Sequence, residues 1–213
     1  MTRKAATRAS ILEAFVKIAT ERGIDATSMK SVADAAGVSE LTVFRHFGDK
    51  PTMIRQAIRH AAPIERLEAF DLEFDVSTRE RAAAGLTTCL CFLRDATVRS
   101  GGLLQFSLAE ARRHPELSTD LKAAPLAAQA LIDGALRRAE PHLQPGLDRR
   151  SAMLTLQGLL LLTLTWTSIG WMRLTRREWD QILADAVQLV IREPRSADGA
   201  RRPPRGAVRK RRR

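Results

Sequence analysis

The stretch from residue 28 to residue 47 constrains the fold most, because it predicts two short helices joined by a tight turn. Ser28 is placed to cap the first helix with its hydroxyl, and Gly37 lies where the chain must turn left-handed to leave it. Ser39 is placed to cap the second helix, over residues 40–46. Apolar residues at helical spacing give the first helix one buried face: Met29, Val32, Ala33 and Ala36. Helix, glycine turn and second helix form the helix-turn-helix pattern, whose second helix lies in the DNA major groove.

The second of these helices is expected to have an apolar side and a polar side. We predict that it buries Phe44 and Phe47 together with either Leu41 or Val43. The polar side would then consist of Glu40, Thr42, Arg45 and His46.

The rest of the chain predicts an all-α fold, since no stretch shows the alternation of a strand. Residues 1–7 are expected to be a disordered basic arm, and residues 64–76 a helical or irregular connector. Helices are predicted over residues 8–22, 50–61, 78–98, 103–113, 116–140 (with a possible break at Pro125), 148–173 and 176–192.

Positive charge is concentrated at the two ends of the chain, whose formal net charge is +11 over 213 residues. Residues 195–213 hold nine basic residues and one acidic residue, and residues 1–60 hold ten basic and six acidic residues. The C-terminal segment is also rich in Pro and Gly, so we expect a disordered tail. Such a tail either strengthens nucleic-acid binding through its charge or only aids solubility.

Several classes of function lack support in the sequence. It offers no nucleophile–base pair, phosphate loop or metal-ligand cluster, so we expect no enzyme, no metal and no cofactor. Cys89 and Cys91 are two residues apart, which does not suit a disulfide and favours reduced, buried thiols in the cytoplasm. Residues 151–172 carry no charge and are long enough to span a bilayer, but a helix buried in a subunit interface explains them as well.

A longer motif identifies a family. The helix at residues 8–22, the helix-turn-helix, and the run from Thr42 to Lys50 (Thr-Val-Phe-Arg-His-Phe-Gly-Asp-Lys) resemble the tetracycline-repressor (TetR) family of bacterial transcription regulators. The resemblance covers about residues 8–60, and residues 108–117 more weakly resemble its regulatory domain.

The resemblance implies the organisation of the chain. It implies a three-helix helix-turn-helix DNA-binding domain over residues 1–50, joined to a larger helical ligand-binding and dimerisation domain over residues 51–193, with the Arg-rich tail at 194–213. The expected function is a ligand-responsive repressor that binds a palindromic double-stranded DNA operator as a homodimer. Helices 148–173 and 176–192 would form the dimer contact, or alternatively an intrachain core. A rival interpretation is an architectural or ligand-independent DNA-binding protein that uses its basic tail.

The resemblance also assigns roles at the DNA. Ser28 and Ser39 mark helix ends that approach phosphates, and Thr42, His46 and Lys50 match positions that touch the backbone. Base reading would fall to three residues, namely Glu40, Leu41 (on a thymine methyl group) and Arg45 (on a guanine). For His46 the alternative is a packing role, and for Arg45 it is a phosphate contact. Phe44 stands where the family usually has Tyr, so a phenol–phosphate bond is lost.

In the family an effector enters a pocket of the regulatory domain and moves the fourth helix, here residues 50–61. We expect a small-molecule effector that is mostly hydrophobic. The candidate pocket residues are Leu90, Phe106, Glu110, Leu131, Thr163, Trp166 and Thr167.

Overall fold

The protein is described by a computed structural model covering residues 2–62, 64–71, 73–100, 106 and 109–191. Throughout these residues the regular elements are helices, which confirms the all-α prediction. They are α1 (Arg3–Arg22), α2 (Met29–Ala36), α3 (Glu40–Phe47), α4 (Lys50–Ala61), α5 (Ile64–Glu68), α6 (Arg79–Arg99), α7 (Ser118–Arg138), α8 (Arg149–Ser168) and α9 (Arg176–Ile191), with 3-10 turns at Pro115–Leu117 and Glu140–His142.

The start of the chain departs from prediction, because residues 3–7 are helical and not a disordered arm. The side chain of Thr2 accepts a hydrogen bond from the backbone N–H of Ala5, which caps α1. That local bond allows the helix to begin about one and a half turns before the predicted start at residue 8.

The ends of two later helices also differ from prediction. Helix α8 stops at Ser168, five residues before the predicted end at 173, because Gly170 turns the chain with φ 78°. The backbone N–H of Trp171 then donates to the carbonyl of Trp166 at 3.0 Å and closes the helix. Helix α7 runs without a break through Pro125. Of the helix predicted over 103–113, Phe106, Ala109 and Glu110 are helical and residues 111–113 form a turn, while the remainder and the tail lie outside the described residues.

Two apolar cores hold the helices together. The first core lies among the helices α1, α2, α3 and α4, and it also contains Phe106, Leu117 and Leu121. This core therefore crosses residue 50, where the sequence placed a domain boundary. Its contributors from α1 and α4 are Ile11, Leu12, Phe15, Ala19, Met53, Ile54, Ala57 and Ile58.

The second core lies among α6, α7, α8 and α9. The connector before α6 is largely irregular, and its aromatic side chains pack against α6. Phe70 stacks on Phe92 with ring centroids 4.1 Å apart. Phe74 lies against Gly85, and the guanidinium of Arg138 sits 5.5 Å from the centre of its ring. Non-covalent packing thus orders a segment that has little regular structure of its own.

Apolar side chains also remain uncovered on α8, the turn after it, and α9. The exposed ones are Leu154, Leu162, Trp166, Ile169, Trp171 and Leu189. No helix in the described ranges is long and apolar enough to cross a membrane.

Cys89 and Cys91 are free thiols in the structure. Cys89 is buried, and burial raises its thiol pKa to about 12. Cys91 is half-buried, so the expectation of two buried thiols holds fully only for Cys89.

The Gly85 contact yields a stability prediction. A Cβ atom at this position would overlap the ring of Phe74, so Gly85→Ala should lower the free energy of unfolding by about 1–3 kcal/mol. Urea denaturation measures this. In a Phe74→Ala background the same substitution should be neutral or stabilising, since alanine favours a helix over glycine by about 1 kcal/mol. Equal losses in both backgrounds would contradict the proposed overlap.

Buried Arg94 makes the stability of the second core depend on pH. Its guanidinium donates to Asp95 on α6 and to Asp180 on α9, and these hydrogen bonds hold the pKa of both carboxyls below the usual value. A carboxyl with a lowered folded pKa stabilises the fold above its unfolded pKa, about 3.9, and this stabilisation is lost as pH falls through the folded pKa.

We therefore expect Asp180→Asn to lower the free energy of unfolding at pH 7 by about 1 kcal/mol, a modest value because the carboxyl is half exposed. The difference from wild type should shrink below about pH 4. Urea titrations at pH 7 and pH 3.5 measure it, and a difference that stays constant between them would refute the assignment.

Candidate DNA-binding surface

Local backbone chemistry defines both ends of α2. The backbone N–H of Ser31 donates to Ser28 Oγ at 3.0 Å, and the N–H of Ser28 donates to Ser31 Oγ at 3.0 Å. This reciprocal pair caps α2 at the predicted residue. Gly37 has φ 67° and ψ 32°, the left-handed conformation that the sequence predicted.

The start of α3 is capped by Ser39, as predicted. Its Oγ accepts from the backbone N–H of Thr42 at 3.2 Å and lies 2.8 Å from Thr42 Oγ1. The cap thus occupies one of the first N–H groups of α3. The N–H groups of Glu40 and Leu41, ahead of it, remain at the positive end of the helix, where an anion is favoured.

The inward side of α3 is formed by Val43 and Phe47, both buried. Of the two predicted alternatives, Val43 is therefore the buried residue. The prediction that Phe44 is buried is wrong, because its side chain is 58% exposed. Residues four apart share a helix face, whereas Phe44 is rotated by one position, about 100°, from Val43.

The outward side of α3 brings most of the predicted DNA residues together. Glu40, Leu41, Phe44 and Arg45 are exposed, and Thr42 and His46 are partly exposed beside them. The surface joins two apolar side chains to groups that donate or accept hydrogen bonds. We call this set, residues 40–42 and 44–46, the α3 outer face.

The C-terminal end of α3 is held by Arg8 of α1, which the sequence interpretation missed. Its guanidinium lies 4.8 Å from the centre of the Phe47 ring and donates to the carbonyl of His46 at 3.3 Å. A cation at this end also complements the helix dipole. The residues are 38 apart in sequence, so only a basic residue on the polar side of α1 could have hinted at the contact. The ring of His46 lies 6.0 Å from that of Phe47, a distance compatible with the packing alternative.

Lys50 lies at the first residue of α4, next to the cap of that helix. Asp49 accepts from the backbone N–H of Thr52 at 2.7 Å. The Lys50 ammonium donates to the backbone carbonyl of Asp25 at 3.3 Å, which ties the lysine to the loop between α1 and α2.

The loop between α1 and α2 also lies close to His114. His114 Nε2 lies 3.6 Å from an oxygen of Asp25 and 3.2 Å from one of Glu110, and its Nδ1 lies 3.1 Å from Glu116. Farther along, Arg59 of α4 donates to the buried carboxylate of Asp120 at 2.7 Å. Polar contacts therefore connect both the loop and α4 to residues 110–120.

The seven predicted pocket residues do not form a single group. Leu90 and Leu131 belong to the second core, whereas Phe106 belongs to the first and Glu110 lies buried beside His114. The remaining three lie along α8. Thr163 and Thr167 are hydrogen-bonded to carbonyls of their own helix, and Trp166 faces outward.

A cleft with a cavity volume of ≈ 940 Å³ opens between α1, the end of α4, α5 and the end of α6. None of the seven predicted residues is among its lining residues, which include Glu13, Lys17, Arg59, Arg66 and Arg99. The assignment of a ligand pocket stays a prediction.

Comparison with known proteins gives matches over the N-terminal region and over the whole fold. Residues 11–57 match the family model described as "Bacterial regulatory proteins, tetR family". A 56-residue segment is 32% identical to the HTH-type transcriptional repressor KstR2 of Rhodococcus jostii (strain RHA1). That segment is 26% of this chain and only 28% of that relative.

Solved structures resemble the chain over most of its length. A TetR-family regulator from Mesorhizobium loti MAFF303099 is 22% identical with a TM-score of 0.63, covering 89% of this chain and 96% of that one. FadR from Bacillus subtilis, in complex with stearoyl-CoA, is 20% identical with a TM-score of 0.65, covering 86% and 97%. HlyIIR, a hemolysin II transcriptional regulator, is 12% identical with a TM-score of 0.65, covering 88% and 98%. At these identities the likeness establishes the fold.

Proposed function

We propose that this chain, which belongs to the TetR family of bacterial regulatory proteins, represses transcription in the cytoplasm by binding a palindromic operator as a homodimer. A small and mostly hydrophobic effector would release it from the DNA. The observation that carries the proposal is the α3 outer face, displayed on a doubly capped helix-turn-helix within the region that matches the family.

The proposed DNA contacts fall into two groups. The amino ends of α2 and α3, at Ser28 and Ser39, together with Thr42, His46 and Lys50, would bind phosphates and set the position of α3. These groups carry no sequence information of their own. Glu40 and Arg45 point outward from α3 and have the groups needed to read cytosine and guanine edges in the major groove.

Arg45 supplies the first test of these roles. If it reads a guanine, Arg45→Ala should relax the preference at one base pair of each half-site, by about 1–3 kcal/mol. Selection of bound sequences from a random DNA pool measures the preference at every position. A uniform loss of affinity, with no change in preference, would assign Arg45 to a phosphate instead.

The same selection tests the function itself. A homodimeric repressor should enrich a palindrome whose half-sites lie one helical turn apart, about 34–36 Å. The rival, an architectural protein using its basic tail, should enrich no palindrome, because phosphate binding is insensitive to sequence. Enrichment of a palindrome by wild type and by a chain ending at residue 194 would exclude the rival.

The proposed dimer interface lies on α8 and α9. Leu154, Leu162 and Trp166 recur at intervals of eight and four along α8, and Ile169 follows three residues later at its end. All four lie toward one side of the helix and are exposed in the single chain. Gly158 lies between them, and the position that a Cβ atom would take there has no other atom within 4 Å. A contiguous apolar patch of this kind marks an interaction surface, and two-fold pairing would cover it twice.

The interface makes a specific prediction about oligomeric state. Leu162→Arg places a charge in the apolar patch, so it should shift the protein from dimer to monomer in sedimentation velocity and weaken operator binding by roughly tenfold or more. Val98→Arg on α6 is the matched control, because Val98 is also exposed but lies outside the patch. An unchanged dimer in Leu162→Arg would contradict the proposed interface.

The proposed release mechanism uses the contacts of α4. Its apolar side shares a core with Phe106, Leu117 and Leu121, and its Arg59 binds Asp120. An effector that displaces Phe106, Leu117 and Leu121 would therefore displace α4, and it would thereby change the separation of the two α3 helices. Such a shift lowers affinity because the half-site spacing of the operator is fixed.

The effector is proposed to be mostly hydrophobic, since α6, α7 and α8, which carry most of the candidate pocket residues, meet around an apolar core. FadR of Bacillus subtilis, which shares the fold, binds stearoyl-CoA, so a long-chain acyl-CoA is the first probe. We expect it to raise the melting temperature and to release the operator, with coenzyme A alone as the control. If small polar metabolites raised the melting temperature and acyl-CoA did not, the hydrophobic assignment would be wrong.

A further inference from the structure

Two large apolar side chains stand out on the α3 outer face. Leu41 is 57% exposed and Phe44 is 58% exposed, and they are the exposed large apolar side chains of residues 2–62. Neither packs into the first core, which takes Val43 and Phe47 instead. The stability of the domain therefore gives no reason for apolar residues at these two positions.

Their spacing places them side by side. Residues three apart on a helix lie on the same side, with Cβ atoms roughly 5–6 Å apart. Base pairs rise about 3.4 Å each along DNA, so the pair would reach neighbouring base pairs of a bound duplex.

The chemistry of the pair limits what it can recognise there. Neither side chain can donate or accept a hydrogen bond, since Phe44 lacks the hydroxyl of a tyrosine. Phosphates and most base-edge groups are therefore excluded as favourable partners. In the major groove the apolar base-edge group is the methyl carbon on C5 of thymine.

The surroundings of the pair favour DNA over an apolar protein partner. Next to it are Arg45 and the amino end of α3, where N–H groups of Glu40 and Leu41 favour an anion. The carboxylate of Glu40 also borders the pair, so groups of both signs surround the apolar centre, and such groups can contact phosphates and base edges on either side of a methyl group.

We propose that Leu41 and Phe44 form a reader of C5-methyl groups, which distinguishes thymine and 5-methylcytosine from uracil and unmethylated cytosine. This inference rests on the proposed DNA-binding function and specifies what its apolar residues recognise. It implies that methylation of cytosine at C5 substitutes for thymine at the positions facing the pair, because neither side chain senses the hydrogen-bonding groups that differ between these bases.

The expected size follows from the burial of one methyl group, which corresponds to about a fourfold change in affinity. Two methyl contacts in each half-site of a two-fold operator would together amount to a change on the order of 10²-fold.

The test uses one round of selection from three random DNA pools that differ only in their pyrimidines. The first contains thymine and cytosine, the second uracil and cytosine, and the third uracil and 5-methylcytosine. We expect thymine to be preferred at two positions of each half-site in the first pool. The preference should vanish at those positions in the second pool and switch to 5-methylcytosine in the third.

Substitutions of Leu41 and Phe44 test whether these two side chains produce the methyl preference. Leu41→Ala and Phe44→Ala should each abolish the methyl preference at one position, whereas Phe44→Leu should retain a preference at its position. Val98→Ala is the matched control, because it removes an exposed apolar side chain outside the α3 outer face, and it should leave the response to pyrimidine methylation intact. Circular dichroism of each variant verifies that it is folded.

The outcomes separate this inference from the proposed function. Enrichment of one operator with the same preferences in all three pools would overturn the methyl reader while leaving the operator proposal standing. A switch of preference that persists in Leu41→Ala and Phe44→Ala would also overturn it. If none of the pools yielded an enriched sequence, both proposals would fail.

Discussion

The packing of α4 against α1 is the interaction on which the rest of the structure depends. Met53, Ala57 and Ile58 of α4 are almost fully buried in the core that also contains Phe15 of α1. Residues 117 and 121 close the same core from the other side. Helix α4 thus belongs at once to the part of the molecule proposed to face DNA and to the part proposed to bind the effector. Protein interiors are close-packed, so a displacement on one side of such a helix is felt on the other.

Polar contacts reinforce this link at two places. The carbonyl of Asp25 accepts from Lys50, while its carboxylate lies near His114. Arg59 binds Asp120, whose carboxylate is buried. The Arg59 side chain is itself mostly exposed, so this contact fixes the position of Asp120 beside α4 and adds only modest stability. Both contacts lie between the surface proposed to bind DNA and the domain proposed to bind the effector.

The features that the sequence predicted correctly depend on neighbours along the chain. Ser28, Gly37 and Ser39 act on backbone groups within a few residues, so their caps and turn follow from local chemistry. Thr2 acts in the same way, but its cap was not predicted because residues 1–7 lack an apolar stripe.

The features that could not be predicted are contacts between residues that are far apart in the sequence. Arg8 reaches His46, and Asp25 reaches His114, only because the helices fold together. The burial of Phe44 was predicted wrongly because an eight-residue helix with four apolar residues offers more than one possible inward side. Packing against α1 and α4 leaves Phe44 facing out beside residue 41. The exposed position of Phe44 instead agrees with the resemblance, which puts a Tyr facing DNA at this place in the family.

We infer that each chain supplies half of a two-fold DNA reader, with α3 as the reading helix. Hydroxyl-radical footprinting on the selected operator tests it most directly. We predict two protected patches related by two-fold symmetry, with centres about 34–36 Å apart, and loss of both patches together when Leu162→Arg separates the subunits. Uniform protection of the duplex with no repeat, or a single patch bound by one chain, would contradict it.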